Sequence, residues 1–270
     1  MTNEDYEFIR TLLRNRSAID LGDSKQYLVE ARLAPLVRQE NLSSITELVQ
    51  MLRFGSSNGI DHQIIEAMVT TESSFFRDLH PFDALRKTIL PELAKRRAAE
   101  RILNIWCAAC STGQEPYSLV LLVREYLKEL AAWKINVLAT DLSRTVLAKA
   151  RDGRYSQLEV NRGLPASLLV KYFIQHGTTW ELKPEVRQMV DFREFNLCEP
   201  WPILPRMDLV LMRNVMIYFD VDTKKTILGR LSRLLQPDGY LLLGSAETTL
   251  FLDESYRRAE NQTGFYELVR

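Results

Sequence analysis

The chain has 270 residues with 35 Lys+Arg against 35 Asp+Glu, so its size suits two modest domains and its balanced charge gives no global electrostatic case for nucleic acid. Hydrophobic content of 46% is ordinary for a globular protein, and no apolar run approaches the ~20 residues of a membrane span. Met1-Thr-Asn-Glu-Asp5 is polar and acidic rather than a signal peptide, and three cysteines make no disulfide framework; a cytoplasmic protein is expected, with nothing demanding more than a monomer.

The first 76 residues read as an all-helical domain. Tyr6, Ile9, Leu12 and Leu13 recur at helical spacing, as do Val29, Leu33, Leu36 and Val37, then Ile45, Leu48, Val49 and Leu52, and finally Ile64, Ile65, Met68 and Val69. Breaks fall at Gly22-Asp-Ser24, Asn41-Leu-Ser-Ser44 and Phe54-Gly-Ser-Ser-Asn-Gly59, the last with a loop tip. Between Arg10 and Arg38 basic residues (Arg10, Arg14, Arg16, Lys25, Arg32, Arg38) outnumber acidic ones (Asp20, Asp23, Glu30). Lys25 and Arg32 are two helical turns apart on one face. That face is either solvated or a docking surface for an acidic partner helix.

Val69-Thr-Thr-Glu-Ser-Ser-Phe-Phe-Arg77 reads as a structured turn, and residues 77–98 as a linker helix with Pro81 and Pro91 near the ends of Leu79–Leu93. Lys95-Arg96-Arg97 reads as a solvated helix end. From residue 99 onward strands and helices alternate. Ile102–Trp106 is an apolar run typical of a buried parallel strand, followed by a turn of small residues and a helix over Glu115–Leu130. Ile135–Thr140 is a second strand ending at Asp141, and Ser143–Arg151 a helix stopped by Gly153. Leu164–Phe173 reads as helix, Thr178–Phe192 as an antiparallel hairpin giving a small β subdomain within 176–192, and Asp191–Phe195 as a strand leading to Asn196-Leu197. Met207–Met212 is a strand ending in Arg213-Asn214. A helix over Asp222–Leu235, with Asp222 as N-cap, precedes a turn at Pro237-Asp-Gly239, a strand over Tyr240–Leu243, and closing strands within Tyr256–Val269. This order predicts a doubly wound, Rossmann-like α/β sheet behind an all-α N-terminal domain.

In such sheets ligands bind beyond the carboxyl ends of the strands. The 107–115 turn, Asp141, Asn196-Leu197 and Arg213-Asn214 fall there. The turn lacks G-x-G-x-x-G, which disfavours a dinucleotide, and its acidic residue suits a ligand with a positive end. Asp141 either accepts both hydroxyls of a ribose or caps the next helix; Asn196 either meets an adenine edge or serves a turn. Cys107-Ala-Ala-Cys110 has no Pro between the cysteines and no thioredoxin-like order around it. Cys198 and the scattered His62, His80 and His176 give no metal-ligand spacing.

Four stretches together resemble the chemotaxis-receptor methyltransferases, the CheR family: Thr70-Thr-Glu-Ser-Ser-Phe-Phe-Arg77, Cys110-Ser-Thr-Gly-Gln-Glu-Pro-Tyr-Ser118, Ala139-Thr-Asp141 and Met212-Arg-Asn-Val-Met-Ile-Tyr-Phe-Asp220. The resemblance runs from the N-terminal helices to about Glu247. It implies transfer of a methyl group from S-adenosylmethionine to glutamate side chains of chemoreceptors, leaving S-adenosylhomocysteine. It implies that Asp141 holds the ribose, that Glu115 meets the methionyl end, that Asn196 and Leu197 lie at the adenine, and that Arg213 and Asn214 complete the pocket. Thr71, Ser73 and Arg77 then belong to the interdomain segment reaching into the site, with Arg77 and Tyr218 beside the transferred methyl. The partner is the receptor's cytoplasmic helical domain, docked by Lys25, Arg32 and Arg38. The chain departs from the family pattern at Thr71 (usually Asn), Gln114 (usually Glu) and Gly244-Ser-Ala-Glu247 (usually G-H-S-E). The short hairpin after His176 suggests an enzyme that needs no receptor tail peptide.

Overall fold

The computed structural model describes residues 1–22, 24–55 and 59–269. Asp23 of the first break, and Ser56, Ser57 and Asn58 of the expected loop tip, lie outside the described residues. Helices α1 (Asn3–Ser17), α2 (Gln26–Gln39), α3 (Ile45–Arg53) and α4 (Ile60–Met68) form the N-terminal bundle. α1 opens with a reciprocal cap: Thr2 Oγ1 accepts from the Asp5 N–H while Asp5 accepts from the Thr2 N–H. Ser44 caps α3 through the Glu47 N–H. Ile9, Leu13, Val29, Leu33, Leu48, Val49 and Ile64 are buried at the centre, each stabilising the bundle by roughly 1.5–3 kcal/mol. Lys25 and Arg38 are exposed, but Arg32 is half-buried. Its guanidinium donates to the Met68 carbonyl and, at 3.0 Å, to Thr70 Oγ1, so it ties α2 to the end of α4 instead of standing open to a partner.

The linker is not one regular helix. α5 (His80–Ala84) runs into a single π turn, Leu85–Ile89, and then α6 (Leu90–Arg96). Pro91 has no N–H to return to the Lys87 carbonyl, and the helix widens just before it. Of the basic end of α6, Lys95 and Arg96 are exposed as expected, but Arg97 is half-buried and paired. Arg97 Nε donates to Asp208 Oδ1 at 2.6 Å and Nη1 to Asp238 Oδ2 at 3.0 Å. Its hydrogen bonds to the Asp238 carboxylate are the main reason its pKa is raised, and the group fastens the linker to the underside of the sheet.

The strands are β1 (Ile102–Ala108), β2 (Lys134–Asp141), β3 (Arg154–Ser156), β4 (Phe173–His176), β5 (Thr179–Leu182), β6 (Val190–Glu194), β7 (Met207–Met212), β8 (Leu235–Leu243), β9 (Tyr256–Arg258) and β10 (Phe265–Leu268). Seven of them form one sheet in the order β6-β2-β1-β7-β8-β10-β9. β6, β2, β1, β7 and β8 are mutually parallel, and β10 runs antiparallel between β8 and β9. The doubly wound, Rossmann-like architecture expected from the strand–helix alternation is present. The intervening helices are α7 (Gln114–Tyr126), α8 (Arg144–Asp152), α9 (Gln157–Asn161), α10 (Ala166–Tyr172), α11 (Pro184–Arg187) and α12 (Val221–Leu234). Among the described residues no helix is long and apolar enough to cross a membrane.

Three local expectations are corrected. The small antiparallel sheet is β3-β5-β4, with its hairpin at 173–182 rather than 178–192; Val190–Glu194 instead pairs in parallel with β2. Asp220, not Asp222, caps α12, accepting from the Thr223 N–H at 2.8 Å. Pro237-Asp-Gly239 is not a turn but part of β8, where the register against β7 shifts between Met207 and Leu209. That irregularity accommodates a proline that cannot donate to the ladder.

Candidate functional site

A cleft of about 990 Å³, counted with the solvent at its mouth, opens at the carboxyl ends of β1, β2, β6 and β7. The chain leaves β1 toward β2 on one side and reaches β7 on the other, so this is the switch point where an open α/β sheet forms a crevice. Ser17, Ile19, Met68 and Val69 of the helical bundle form its opposite wall.

The turn after β1 is built from its own backbone. Ala109 and Ser111 sit at φ 55° and 50°, and the Cys110 N–H reaches the Thr140 carbonyl at 2.8 Å. Gly113 (φ 91°) starts α7, and a Cβ there would meet Ala150 Cβ at 3.0 Å. Asp141 ends β2 and is buried. One carboxylate oxygen accepts from the Ser111 N–H at 2.8 Å, the other from the Ser143 N–H at 3.0 Å. Asp141 therefore serves the turn and also lines the cleft, with acceptor capacity left on its carboxylate. Burial raises its pKa, and these backbone N–H groups draw it back.

Glu115, in the first turn of α7, accepts from Arg213 Nη1 at 2.8 Å. Arg213 Nη2 donates to Asp78 Oδ2 at 2.8 Å and to the Arg77 carbonyl at 3.0 Å. Arg213 is almost wholly buried, and its Nε has no hydrogen-bond partner among the described residues. Desolvation raises the Glu115 pKa, and the Arg213 charge opposes that. Arg77 sits between two residues in the left-handed region, Phe76 (φ 47°) and Asp78 (φ 63°). A bulky residue at positive φ is strained and persists only where its surroundings over-determine it. Three contacts do so here. The Phe76 N–H donates to Ser118 Oγ at 2.9 Å, Ser111 Oγ donates to the Thr71 carbonyl at 2.7 Å, and Phe75 O lies so close to Gly163 that a Cβ there would be 2.0 Å away.

Ser73, Arg77, Glu115, Asp141, Asn196, Leu197, Arg213, Asn214 and Tyr218 all line the cleft. Thr71 does not; its side chain is exposed and only its carbonyl is used. Asn196 lines the cleft with its amide already occupied. Nδ2 donates to the Arg16 carbonyl at 2.6 Å and to Glu199 at 3.2 Å, and Oδ1 accepts from the Cys198 N–H at 3.0 Å. Its side chain thus serves a turn and the domain junction while it lines the cleft. The Tyr218 hydroxyl has no hydrogen-bond partner among the described residues, while its carbonyl accepts the Asp20 N–H at 3.1 Å. Cys107 and Cys110 are free and buried, and burial drives both thiols up, which rules against redox chemistry at neutral pH.

Sequence reasoning missed Asp78 and Glu247. Glu247 follows β8, and its carboxylate accepts from the N–H groups of Gly244 (2.7 Å), Asn214 (2.8 Å), Val215 (2.9 Å), Met216 (2.7 Å) and Ile217 (3.3 Å). The legible signal was Gly244 three residues before an acid at a strand end.

A mostly parallel sheet with a cleft at its switch point and acidic residues at the end of β2 and the start of α7 defines an α/β protein of the ligand-binding, doubly wound class. The SAM-binding domain model of the CheR methyltransferases matches residues 71–265 and the all-alpha domain model residues 4–65; the chain belongs to the CheR methyltransferase family. It is similar to chemotaxis protein methyltransferases of Pseudomonas putida (39% identical, 97% of this chain and 96% of that one) and Pseudomonas aeruginosa (40%, the same coverages). A Vibrio cholerae relative of the same description is 35% identical over 98% of this chain and 96% of its own. The protein is therefore an S-adenosylmethionine-dependent methyltransferase of the chemotaxis kind. The donor set fits that cofactor: Asp141 has lone pairs free for ribose hydroxyls, Leu142, Phe195 and Leu197 offer apolar wall for a base, and Glu115 is an anion for a cationic end.

Proposed function

We propose that this chain methylates glutamate side-chain carboxylates in the cytoplasmic helical domain of chemoreceptors, producing glutamyl methyl esters for chemotactic adaptation. The observation that carries this reading is the make-up of the cleft, which is lined by the carboxylates of Glu115 and Asp141, by Arg77 and by Tyr218, whose hydroxyl has no hydrogen-bond partner among the described residues. S-adenosylmethionine supplies an electrophilic sulfonium methyl when bound. Asp141 and Glu115 hold the ribose and the methionyl end, Leu197 packs at the adenine, and Arg213 fixes Glu115. Ser73 and Asn214 complete the pocket.

A glutamate is already ionised near neutral pH, so the chain needs no general base. Its task is to hold the substrate carboxylate close, aligned and dry; positioning of this kind supplies roughly 7–11 kcal/mol of a barrier. Arg77 orients the carboxylate with the N–H groups that its bond to the Glu72 carbonyl, 3.3 Å from Nη1, leaves free, and Tyr218 supports it. The exposed Lys25 and Arg38 dock an acidic face of the receptor helices, with Arg32 shaping the surface from within. The turn between β4 and β5 is only Gly177-Thr178, and we read the enzyme as independent of a receptor tail peptide.

The test is transfer of labelled methyl groups to a purified receptor cytoplasmic domain, comparing the parent chain with Arg77→Ala. Alkali-labile label, lost in the variant while cofactor binding persists, is expected. No transfer, or an alkali-stable product, refutes the glutamyl ester.

A further inference from the structure

We propose that Glu247 is a positioning residue of the active site, an internal anion that sets the turn carrying Asn214 and Tyr218. The inference rests on the methyl-transfer reading above. Successive backbone N–H groups that converge on one point, with a left-handed residue among them, form a nest for an anion. Residues 214–217 do this after β7, and Asn214 supplies the left-handed residue at φ 59°. The nest is filled from within. Glu247 Oε2 takes the N–H groups of Gly244 and Asn214, and Oε1 takes those of Val215, Met216 and Ile217. A Cβ on Gly244 would stand 2.7 Å from Glu247 Oε2 and 2.9 Å from the Asn214 nitrogen, so the carboxylate enters where a side chain is missing.

The turn is also braced by the buried Met216 and by its own bonds, Tyr218 N–H to the Val215 carbonyl at 3.2 Å and Phe219 N–H to the Met216 carbonyl at 3.1 Å, but Glu247 alone gathers its first four N–H groups. Its far end is held at the Tyr218 carbonyl by the Asp20 N–H of the helical bundle. Between those two anchors the backbone carries Asn214 and Tyr218 to the cleft. A neutral amide at 247 cannot replace the carboxylate. Its NH₂ group would face two N–H donors, and an oxygen could serve only one side of the nest. The turn would then relax, and Tyr218 would shift relative to Arg77, while Asp141 and Glu115 on other elements would keep their places.

The experiment measures methyl transfer to a receptor cytoplasmic domain for the wild type, Glu247→Gln and Glu247→Ala. Rates are expressed per molecule that binds S-adenosylhomocysteine in calorimetry, which removes any loss of folded protein. We expect Glu247→Gln to lower kcat by roughly 10–100-fold, the scale on which small misplacement acts. In Glu247→Ala, sodium formate occupies the vacated nest and restores part of kcat, whereas sodium chloride does not. Wild-type kcat in Glu247→Gln overturns the inference, as does a Glu247→Ala enzyme that binds the ligand yet ignores formate. If Glu247→Ala does not fold, Glu247→Gln decides alone. An inactive wild type sinks the methyl-transfer reading instead.

Discussion

Replacing Arg213 with methionine removes the cation from the most densely charged buried point of the molecule. The side chain is 2% exposed and bridges Glu115, 14% exposed, to Asp78, 47% exposed. Methionine fills similar volume, so packing is largely kept and the loss is electrostatic. Breaking a buried ion pair from one side costs about 3–5 kcal/mol, because Glu115 is left charged without a partner. The half-exposed Asp78 adds only about 0–1 kcal/mol after solvent screening. At about 2–4 °C per kcal/mol for a chain of this order of size, melting should fall by about 6–20 °C. The sign with pH is fixed. The Glu115 pKa is already raised in the folded state, chiefly by desolvation, and Arg213 is the first group opposing that. A carboxyl with a raised folded-state pKa binds protons more readily when folded, so stability falls as pH rises through the window between the unfolded and folded values. Removing Arg213 raises the upper edge of that window. The deficit of Arg213→Met should thus be largest at neutral pH and shrink under mildly acidic conditions, where Glu115 is protonated. Thermal melts of both proteins at the two pH values test this. An equal deficit at both would refute the assignment of the cost to an uncompensated Glu115.

Asp141→Asn should weaken S-adenosylhomocysteine binding about 10–150-fold, the value of a hydrogen bond to a charged group, and unchanged affinity in calorimetry would remove Asp141 from the ribose site. Gly163→Ala places a Cβ 2.0 Å from the Phe75 carbonyl at φ +93°, two residues before Arg77; it should lower methyl transfer by up to about 100-fold, while Gly177→Ala, with open space around it, should leave the rate unchanged. Burial pushes the Cys198 thiol up to about 11 and raises those of the fully buried Cys107 and Cys110 as well. A thiol-reactive dye at neutral pH should therefore label the folded protein slowly, at Cys198 first, and rapid labelling of Cys110 would contradict the burial.

The architecture was legible because period and order carry it. Ile102–Trp106, Ile135–Thr140 and Met207–Met212 are apolar runs at which only parallel strands covered on both faces are stable. Most of the cleft was legible for the same reason, since Asp141, Arg213 and Asn214 end such strands. The errors fell where a long-range partner overrides a local signal. Pro237-Asp-Gly239 has turn chemistry, yet β7 draws it into a strand. Arg97 ends a helix and reads as solvated, but Asp208 and Asp238, more than a hundred residues away, claim it. Pairings of that separation leave no trace in spacing.

The wall formed by Ser17, Ile19, Met68 and Val69 makes ligand affinity a property of how the two domains meet. The junction itself is polar and modest. Glu66 accepts from Thr145, Arg16 O from Asn196, and Tyr218 O from Asp20. By thermodynamic linkage, whatever bound ligand adds to domain closure, closure returns to ligand affinity by the same factor. If a receptor helix docks on the bundle as proposed and shifts it, the cleft's hold on its contents changes too, and engagement of the substrate protein and retention of the methyl donor become one coupled equilibrium.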